Sequence, residues 1–510
     1  MTSLPVISWH LTCAPEFQRA ARYTVTMLGM MAGFRARWAT SADGGPTVCW
    51  GSPPEVEVPT KAASTPYGST DQHSTAGLSL PADPGAQKFL LVRGYYNPEH
   101  VRECCVAGSS ILSLFRGAAD VHAALPDGTD LIACAFFFLS LHEEWSSSVR
   151  DGFDRFPSSA SLLGTLHQLH RPVVAEYARV LRDLLHAAGF DVPTAPRWNG
   201  RASAVCMTHD VDYVRKFTAG LIWREVVRYA LRDDLDQPLR ARLRRLGEFA
   251  GFLDPSRDPY RVSLARLLDR EAMHEVHATW FFKAGVTDRH DVRYSLHTSY
   301  LQEVLRRMKD AGHEVGLHPS FNAHVHADIA ATERDRLEAA SGRDIATVRQ
   351  HYLRFHYPRT WRMHEDLGVQ VDSTLGFADH EGFRNGVCHP FLPYDLERRR
   401  VIPLIEIPLQ VMDGTLAFYR AMAPDTALDA IRALLDTVHR HEGAAVVLFH
   451  NTCDDAHDFP GWSGVADAVY GAIGGDDRLA RVSLGEAAGM WLSGGGWDSA
   501  AQLAASIEAD

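Results

Sequence analysis

The stretch AVCMTHDVD, residues 204–212, decides both the fold prediction and the search for a functional site. Its first four residues form an apolar run with the length and composition of a buried strand. Four polar side chains follow within five positions: Thr208, His209, Asp210 and Asp212. Carboxylates and an imidazole crowded at a strand end are costly to desolvate unless they bind a cation or transfer protons. The stretch therefore predicts a metal or catalytic site at the end of a strand.

The same arrangement recurs three times further along the chain. EVGL (314–317) leads into His318, TVRQ (347–350) into His351, and AVVLF (445–449) into His450 and Asn451. A single histidine after a strand is usually structural, so no one of these placements identifies a site. In barrels of parallel strands, however, catalytic residues collect at the carboxyl ends of the strands. Four such placements together favour one shared site.

Composition and charge restrict the class of protein. The chain has 510 residues and a formal net charge of −12, with hydrophobic residues at 46%, which fits a globular protein of two or three domains. The acidic balance argues against a nucleic-acid partner, since such a protein needs a basic face. We see neither a secretory signal nor an apolar run long enough for a transmembrane helix. The eight scattered cysteines form no CxxC pair, which favours reduced thiols in the cytoplasm.

The pattern of elements divides the chain at residues 191–201, which carry two prolines, a glycine and no periodicity. We predict an accessory α/β domain over 1–195, a second domain over 200–495 and a tail over 496–510. In the first domain we predict strands at 5–10 and 88–96, helices at 21–34, 131–144 and 162–189, and a loop over 51–87. In the second, predicted strands and helices alternate, which is typical of a parallel sheet covered by helices. The strands are 204–207, 278–285, 314–317, 347–350, 369–372, 401–408 and 444–449, and the helices 221–250, 264–274, 299–311, 327–340, 360–367 and 424–441.

Asp and His ligands without cysteine suit a hydrolytic divalent-metal site that keeps positions open for water and substrate. Zinc fits such a donor set best, and cobalt, nickel or manganese are alternatives. The Asp-Xaa-Asp spacing projects Asp210 and Asp212 in similar directions from one strand. One carboxylate can then hold the metal while the other accepts a proton from water.

The second half resembles the NodB-type polysaccharide deacetylases, a group like carbohydrate esterase family 4. The resemblance rests on THDVD (208–212), ATWFF (278–282), GHEVGLHPSFNAH (312–324), RQHYLRF (349–355) and LFHN (448–451), in the family's order. Residues 376–386 and 407–416 extend it to a cytoplasmic deacetylase-like subgroup with an N-terminal accessory domain. The resemblance implies a distorted (β/α) barrel preceded by a smaller α/β domain, and one catalytic divalent metal.

The family motifs imply metal ligands but leave one of them open. Val211 separates the two aspartates, and Asn322 stands four residues after His318 where the family has a histidine. We expect Asp212, His318 and His351 to bind the metal, with Asn322 and His324 as alternative ligands.

The resemblance also implies catalytic and substrate-binding residues. Asp210 is the expected base, Arg349 orients it through a charge-assisted pair, and His450 is the expected acid. Arg384, Asn451 and Tyr352 are candidates for substrate binding. Structural alternatives stay open: Arg349 could pair a surface carboxylate, Asn451 could cap a turn, and Arg384 could belong to a tight turn.

These observations predict a metal-dependent hydrolase that removes N-acetyl groups from an acetamido sugar or polysaccharide precursor by metal-activated water. An alternative within the same chemistry is hydrolysis of another carbon–nitrogen amide bond. A second alternative is a catalytically silent glycan-binding or scaffold protein that keeps the barrel.

Overall fold

The computed structural model describes residues 4–39, 47–51, 78–106, 108–117, 125, 127–193, 197–217 and 254–509. The predicted helix over 221–250 and residues 52–77 of the predicted loop lie outside this part of the chain.

The first part of the chain contains a small parallel sheet. Its strands are β1 (Val6–Leu11), β2 (Arg35–Trp38), β3 (Thr47–Trp50) and β4 (Leu78–Leu80), in the order β2-β1-β3-β4. A separate antiparallel hairpin pairs β5 (Arg102–Val106) with β6 (Ser109–Ser113). The helices are α1 (Gln18–Ala32), α2 (Pro84–Leu90), α3 (Leu131–Leu139), α4 (His142–Ser146), α5 (Leu162–Thr165) and α6 (Val173–Ala187). This part of the chain thus contains helices and strands, with element boundaries that differ from the predicted ones.

Four predictions for the first part are wrong in detail, and local backbone chemistry explains the first three. Residues 88–96 are not a strand, because Asp83 caps a helix that starts with Pro84. The predicted helix at 131–144 is two helices, separated where Leu141 adopts a φ of +50°. The helix predicted over 162–189 is also two, since α6 begins only after Pro172. The loop predicted over 51–87 includes β4 and the start of α2.

The second part is built on one parallel sheet of nine strands. They are β7 (Ser203–Val211), β8 (Thr279–Phe282), β9 (Glu314–Leu317), β10 (Thr347–Val348), β11 (Val371–Asp372), β14 (Ile405–Glu406), β15 (Val411–Met412), β16 (Ala444–Leu448) and β17 (Leu479–Arg481). The order is β14-β11-β10-β9-β8-β7-β16-β15, with β17 beside the start of β7. The prediction over 401–408 splits, because β13 (Arg400–Val401) leaves this sheet to pair antiparallel with β12 (Tyr394–Asp395).

Helices follow most of these strands, as predicted. They are α7 (Pro259–Met273), α8 (Ser299–Asp310), α9 (Ala327–Ser341), α10 (Arg359–Asp366), α11 (Pro424–Arg440), α12 (Trp462–Gly474) and α13 (Leu484–Gly494). The predicted tail over 496–510 contains a further helix, α14 (Ala500–Glu508), which buries Leu503 and Ile507. Within the described ranges, no helix is both long and apolar enough to span a bilayer.

The large sheet curls into a half-barrel, consistent with the predicted fold type. Its two end strands, β14 and β15, do not pair with each other in the described structure, so the barrel is open. The carboxyl ends of β7, β8, β9, β10, β15 and β16 meet at one edge. That edge carries the predicted site.

One hydrophobic core continues from the first part into the second. Tyr23 and Phe136 of the first part pack against Tyr394, with ring centroids 5.0 Å and 5.2 Å apart. The Tyr23 hydroxyl also donates to the carbonyl of Leu392 at 2.7 Å. The two parts are therefore packed together, and the division into domains at 191–201 stays a prediction.

Candidate metal centre

Strand β7 sorts the polar residues of the opening stretch onto two faces. It runs through Val211, four residues further than predicted, because its pairing with β8 continues over residues 208–211. Side chains alternate along a strand, so Thr208 and Asp210 share one face and His209 points to the other. His209 is fully buried, with Nε2 2.7 Å from a carboxylate oxygen of Glu271 and Nδ1 2.6 Å from the carbonyl of Phe449. His209 is thus a structural residue beneath the site.

Asp212, His318 and His351 come together at the carboxyl edge of the sheet. One ligand atom from each lies within 4.8 Å of the other two. The Nε2 atoms of His351 and His318 lie 3.2 Å and 3.5 Å from Asp212 Oδ1. That oxygen is buried and has no hydrogen-bond partner among the described residues. The ligand atoms of the three side chains therefore face one another in one compact group.

Each histidine of this trio is oriented from behind. The Nδ1–H of His318 donates to the carbonyl oxygen of Arg349 at 2.7 Å. The Nδ1–H of His351 donates a hydrogen bond to Asp291 Oδ1 at 2.9 Å. With Nδ1 carrying the hydrogen, the lone pair of each neutral ring lies on Nε2, the atom that faces Asp212. This arrangement of ligand and supporting acceptor is typical of metal-binding histidines.

The charged groups of the site shift the pKa values of Asp212 and His351. Burial raises the pKa of Asp212, but the nearby His351 and Lys283 outweigh it and hold that pKa well below its usual range. Burial lowers the pKa of His351, and Asp212 and Asp291 more than reverse this, so its pKa is raised. A cation that binds here needs the neutral form of His351, so it competes with protonation of that ring.

Asp210 lies beside the trio and is paired with Arg349. Its Oδ1 accepts from Arg349 Nη1 at 3.2 Å, and its Oδ2 lies 3.7 Å from His318 Nε2. Arg349 is fully buried and also donates to Thr208 and Ser373, so its guanidinium is fixed. The partner of Arg349 is therefore Asp210 rather than a surface carboxylate.

His450 borders the trio through the other oxygen of Asp212. Its Nε2 lies 3.7 Å from Asp212 Oδ2, while its Nδ1 donates to Asp413 Oδ1 at 2.5 Å. Burial lowers the pKa of His450, but Asp413 and the site aspartates outweigh it and raise that pKa to about 10. His450 therefore carries a proton at neutral pH.

These residues line an open pocket of about 420 Å³. Six tyrosine and phenylalanine side chains of the described residues share the wall: Tyr213, Tyr260, Tyr352, Phe418, Tyr419 and Phe459. The Tyr352 ring stacks on Phe153 with centroids 5.0 Å apart, and its φ of +61° is rare for such a residue. Strained backbone of this kind is concentrated at functional sites. The volume suits a small ligand or one end of a larger one.

Four of the predicted site residues lie elsewhere. Arg384 is buried in an ion pair with Glu144 at 2.7 Å, outside the pocket wall, because the first part of the chain covers it. Asn451 is buried and its amide donates to the carbonyl of Tyr213, a bond to a distant segment rather than the turn cap given as the alternative. The two alternative ligands are also turned away: Asn322 bonds Thr287 and Arg354, and His324 lies with Asp154 and His356.

Three residues of the site were not among the residues predicted from the sequence: Asp291, Asp413 and Lys283. Asp413 directly follows β15, so the strand-end signal could have identified it. Lys283 directly follows β8, and its ammonium lies 3.6 Å from Asp212 Oδ1. Asp291 lies in an irregular segment, and its sequence gives no such signal.

Comparisons with known proteins yield one family model and a set of solved structures. A model described as "Family of unknown function (DUF7033)" matches residues 79–189, which is less than a quarter of the chain. No curated protein matches.

Three of the similar solved structures match a little more than half of this chain. A probable polysaccharide deacetylase from Pseudomonas aeruginosa PAO1 is 14% identical, with 59% of this chain and 95% of that chain covered and a TM-score of 0.41. Peptidoglycan deacetylase PdaC from Bacillus subtilis is 13% identical, with 56% and 91% covered and a TM-score of 0.28. BA3943 from Bacillus anthracis, named as a CE4 family pseudoenzyme, is 15% identical, with 56% and 65% covered and a TM-score of 0.27. At these values the likeness is distant, and function has to be argued from the site itself.

Proposed function

We propose that this chain is a metal-dependent hydrolase that removes N-acetyl groups from an acetamido sugar of a glycan or glycan precursor. The observation that carries the proposal is the convergence of Asp212, His318 and His351 within 4.8 Å. Asp210 and His450 border this trio and line the same pocket. Metal ligands, a base and an acid are thus gathered in one place.

The donors of the trio fit a divalent cation. Two imidazole nitrogens and one carboxylate oxygen match a zinc site with an open position, and cobalt, nickel and manganese accept similar donors. Asp212 Oδ1 is buried without a hydrogen bond in the described structure, which a bound cation would compensate. When bound, the cation supplies a charge that polarises the amide carbonyl and lowers the pKa of water.

Asp210 is placed to accept the proton of the attacking water. Arg349 holds one of its oxygens at 3.2 Å, and the other oxygen faces His318. The buried guanidinium orients the carboxylate and offsets its charge. Arg349 is therefore a positioning residue in this proposal, and Asp210 is the base.

His450 is placed to donate a proton to the departing amine. Asp413 keeps it protonated, since its pKa is raised to about 10. The proton moves from His450 Nε2 to the sugar nitrogen as the carbon–nitrogen bond breaks. Each of the two proton transfers contributes a rate factor of about 10²–10⁴.

The aromatic wall of the pocket supports a sugar as the substrate. Pyranose rings present apolar faces of C–H groups that pack on aromatic rings, and Tyr213, Tyr260, Tyr352 and Phe418 offer such surfaces. Phe418 is 59% exposed, so it extends the apolar surface to the pocket rim.

The test is acetate release from N-acetylated hexosamine oligosaccharides by the zinc-loaded full chain. We expect release with the natural sequence, and a loss of about 100-fold or more in Asp210→Asn and Asp212→Asn. Asp310→Asn is the control, since Asp310 is exposed on α8 and pairs only with Arg306 in the described structure.

Other outcomes separate the alternatives. Hydrolysis of cyclic or simple amides without acetate release from sugars would replace the deacetylase by another amide hydrolase. A folded chain that binds glycan, binds no metal and releases nothing would identify a scaffold protein and refute the enzyme.

A further inference from the structure

A second group of two histidines and one aspartate lies on the loops that carry the first. Asp154, His324 and His356 each offer a ligand atom within 4.8 Å of the other two. His324 follows His318 by six residues, and His356 follows His351 by five. Asp154 comes from the first part of the chain and approaches these loops from outside the sheet.

The His324 imidazole is the unusual member of this group. Its side chain is buried, at 2% exposure for the residue, and neither ring nitrogen has a hydrogen-bond partner in the described structure. A buried polar group left without a partner costs about 1–3 kcal/mol. A buried imidazole next to a carboxylate and a second imidazole supplies the donor atoms that a metal ion requires.

The backbone holds the two histidines in place. The buried hydroxyl of Thr360 donates to the carbonyl of His324 at 3.0 Å and accepts from the N–H of His356 at 2.9 Å. The two rings lie 5.1 Å apart at an interplanar angle of 76°. His356 Nε2 lies 2.7 Å from Asp154 Oδ2. Arg354 also reaches that oxygen, at 3.4 Å, and is the competitor for it.

The geometry points to a second divalent-cation site of the zinc class, formed by Asp154, His324 and His356. Two imidazole nitrogens and one carboxylate oxygen supply three ligands, and the partial exposure of Asp154 and His356 leaves room for water as the fourth. The site ties the loop around Asp154 to the loops after β9 and β10. Arg155, the residue after Asp154, donates to the carbonyl of Tyr352 at 3.2 Å, and both residues line the pocket, so a cation here fixes one side of its rim.

The experiment is a zinc titration of the full chain after removal of metal by a chelator, with bound zinc measured by elemental analysis. We expect two zinc ions per natural chain and one per chain in His356→Ala and in His324→Gln. His326→Ala is the matched control, since it removes an exposed imidazole two residues from His324 and should keep two ions. His356 is a third exposed, so its replacement is the variant least apt to disturb folding.

The outcomes distinguish this proposal from the proposed function. Asp212→Asn should lose the first ion and keep the second. One zinc per natural chain that survives in His356→Ala and disappears in Asp212→Asn would overturn the second site. Two zinc ions in both His356→Ala and His324→Gln would overturn it as well. One zinc that disappears in His356→Ala but survives in Asp212→Asn would support the second site and refute the first.

Discussion

Replacing Asp291 by Asn should weaken zinc binding at the first site without unfolding the protein. Asp291 Oδ1 accepts from His351 Nδ1 at 2.9 Å, and its carboxylate also accepts from the backbone N–H groups of Thr287, Asp288 and Phe321. An asparagine has no charge to polarise the imidazole, and its amide group would face donors. His351 would therefore be a weaker ligand, held in a less defined orientation.

The expected loss of zinc affinity can be estimated from the contribution that hydrogen-bond acceptors behind metal-binding histidines make to metal binding. Loss of an acceptor behind a metal-binding histidine lowers metal affinity by about 10- to 100-fold. At 1.4 kcal/mol for each factor of ten, this is about 1.4–2.8 kcal/mol of binding free energy. Asp291 is itself 8% exposed, so the lost charge acts in a poorly solvated place. We expect a zinc dissociation constant raised by that factor.

The assay is competition for zinc against a chromophoric chelator, in a His356→Ala background that leaves the first site alone. Asp258→Asn is the matched control: Asp258 is fully buried and accepts from backbone N–H groups, and its described bonds avoid the three ligands. If Asp291→Asn and the natural sequence are both folded and bind zinc with equal affinity, Asp291 does not support His351 as a metal ligand. An equal loss in Asp258→Asn would also refute that role, because the effect would then not come through His351.

Three further predictions concern catalysis and stability. In Asp413→Asn, the carboxylate that raises the pKa of His450 is gone while burial still lowers that pKa. His450 then loses its proton at a lower pH, so the alkaline limb of the pH–activity profile should move to lower pH than with the natural sequence. In Arg349→Met, Asp210 is left buried without its partner, and denaturant unfolding should show a loss of about 3–5 kcal/mol. In Phe418→Ala, an exposed ring at the pocket rim is lost, so KM should rise while kcat stays the same and stability changes by less than about 0.5 kcal/mol.

Each of these predictions has a result that contradicts it. If the alkaline limb of the pH–activity profile is unchanged in Asp413→Asn, His450 is not the acid. If Arg349→Met unfolds at the same denaturant concentration as the natural sequence, the buried pair of Arg349 and Asp210 does not stabilise the fold. A lower kcat with unchanged KM in Phe418→Ala would place that ring at the reaction rather than at the sugar.

Strand ends could be predicted from the sequence because the relevant signal is local. The apolar runs before His318, His351 and His450 marked β9, β10 and β16, and parallel strands necessarily bring those ends to one edge. The exact end of β7 was missed, since pairing with β8 carries the strand through polar residues. Tertiary pairing there outweighs local composition.

Which side chains face the site could not be read from spacing alone. His324 and Asn322 follow His318 at distances that suit a ligand, but the turn after β9 points them away from the trio. Arg384 was a candidate for substrate binding, with a tight turn as the alternative. Its partner, Glu144, lies 240 residues earlier in the chain, beyond the reach of any local pattern.

The first part of the chain was the least predictable because short capping signals outweigh hydrophobic runs there. KFLLVRGYY suggested a strand, yet Asp83 and Pro84 start a helix that ends within it. The group of Asp154, His324 and His356 could not be predicted from the sequence either, since only the fold brings Asp154 to the two histidines.

The central claim is that Asp212, His318 and His351 hold one cation beside Asp210. The most direct measurement is a crystal structure of the zinc-loaded full chain with anomalous data collected at the zinc absorption edge. We expect an anomalous peak about 2.0–2.2 Å from a carboxylate oxygen of Asp212 and from Nε2 of both histidines. Density that shows the three side chains in place with no peak among them would contradict it.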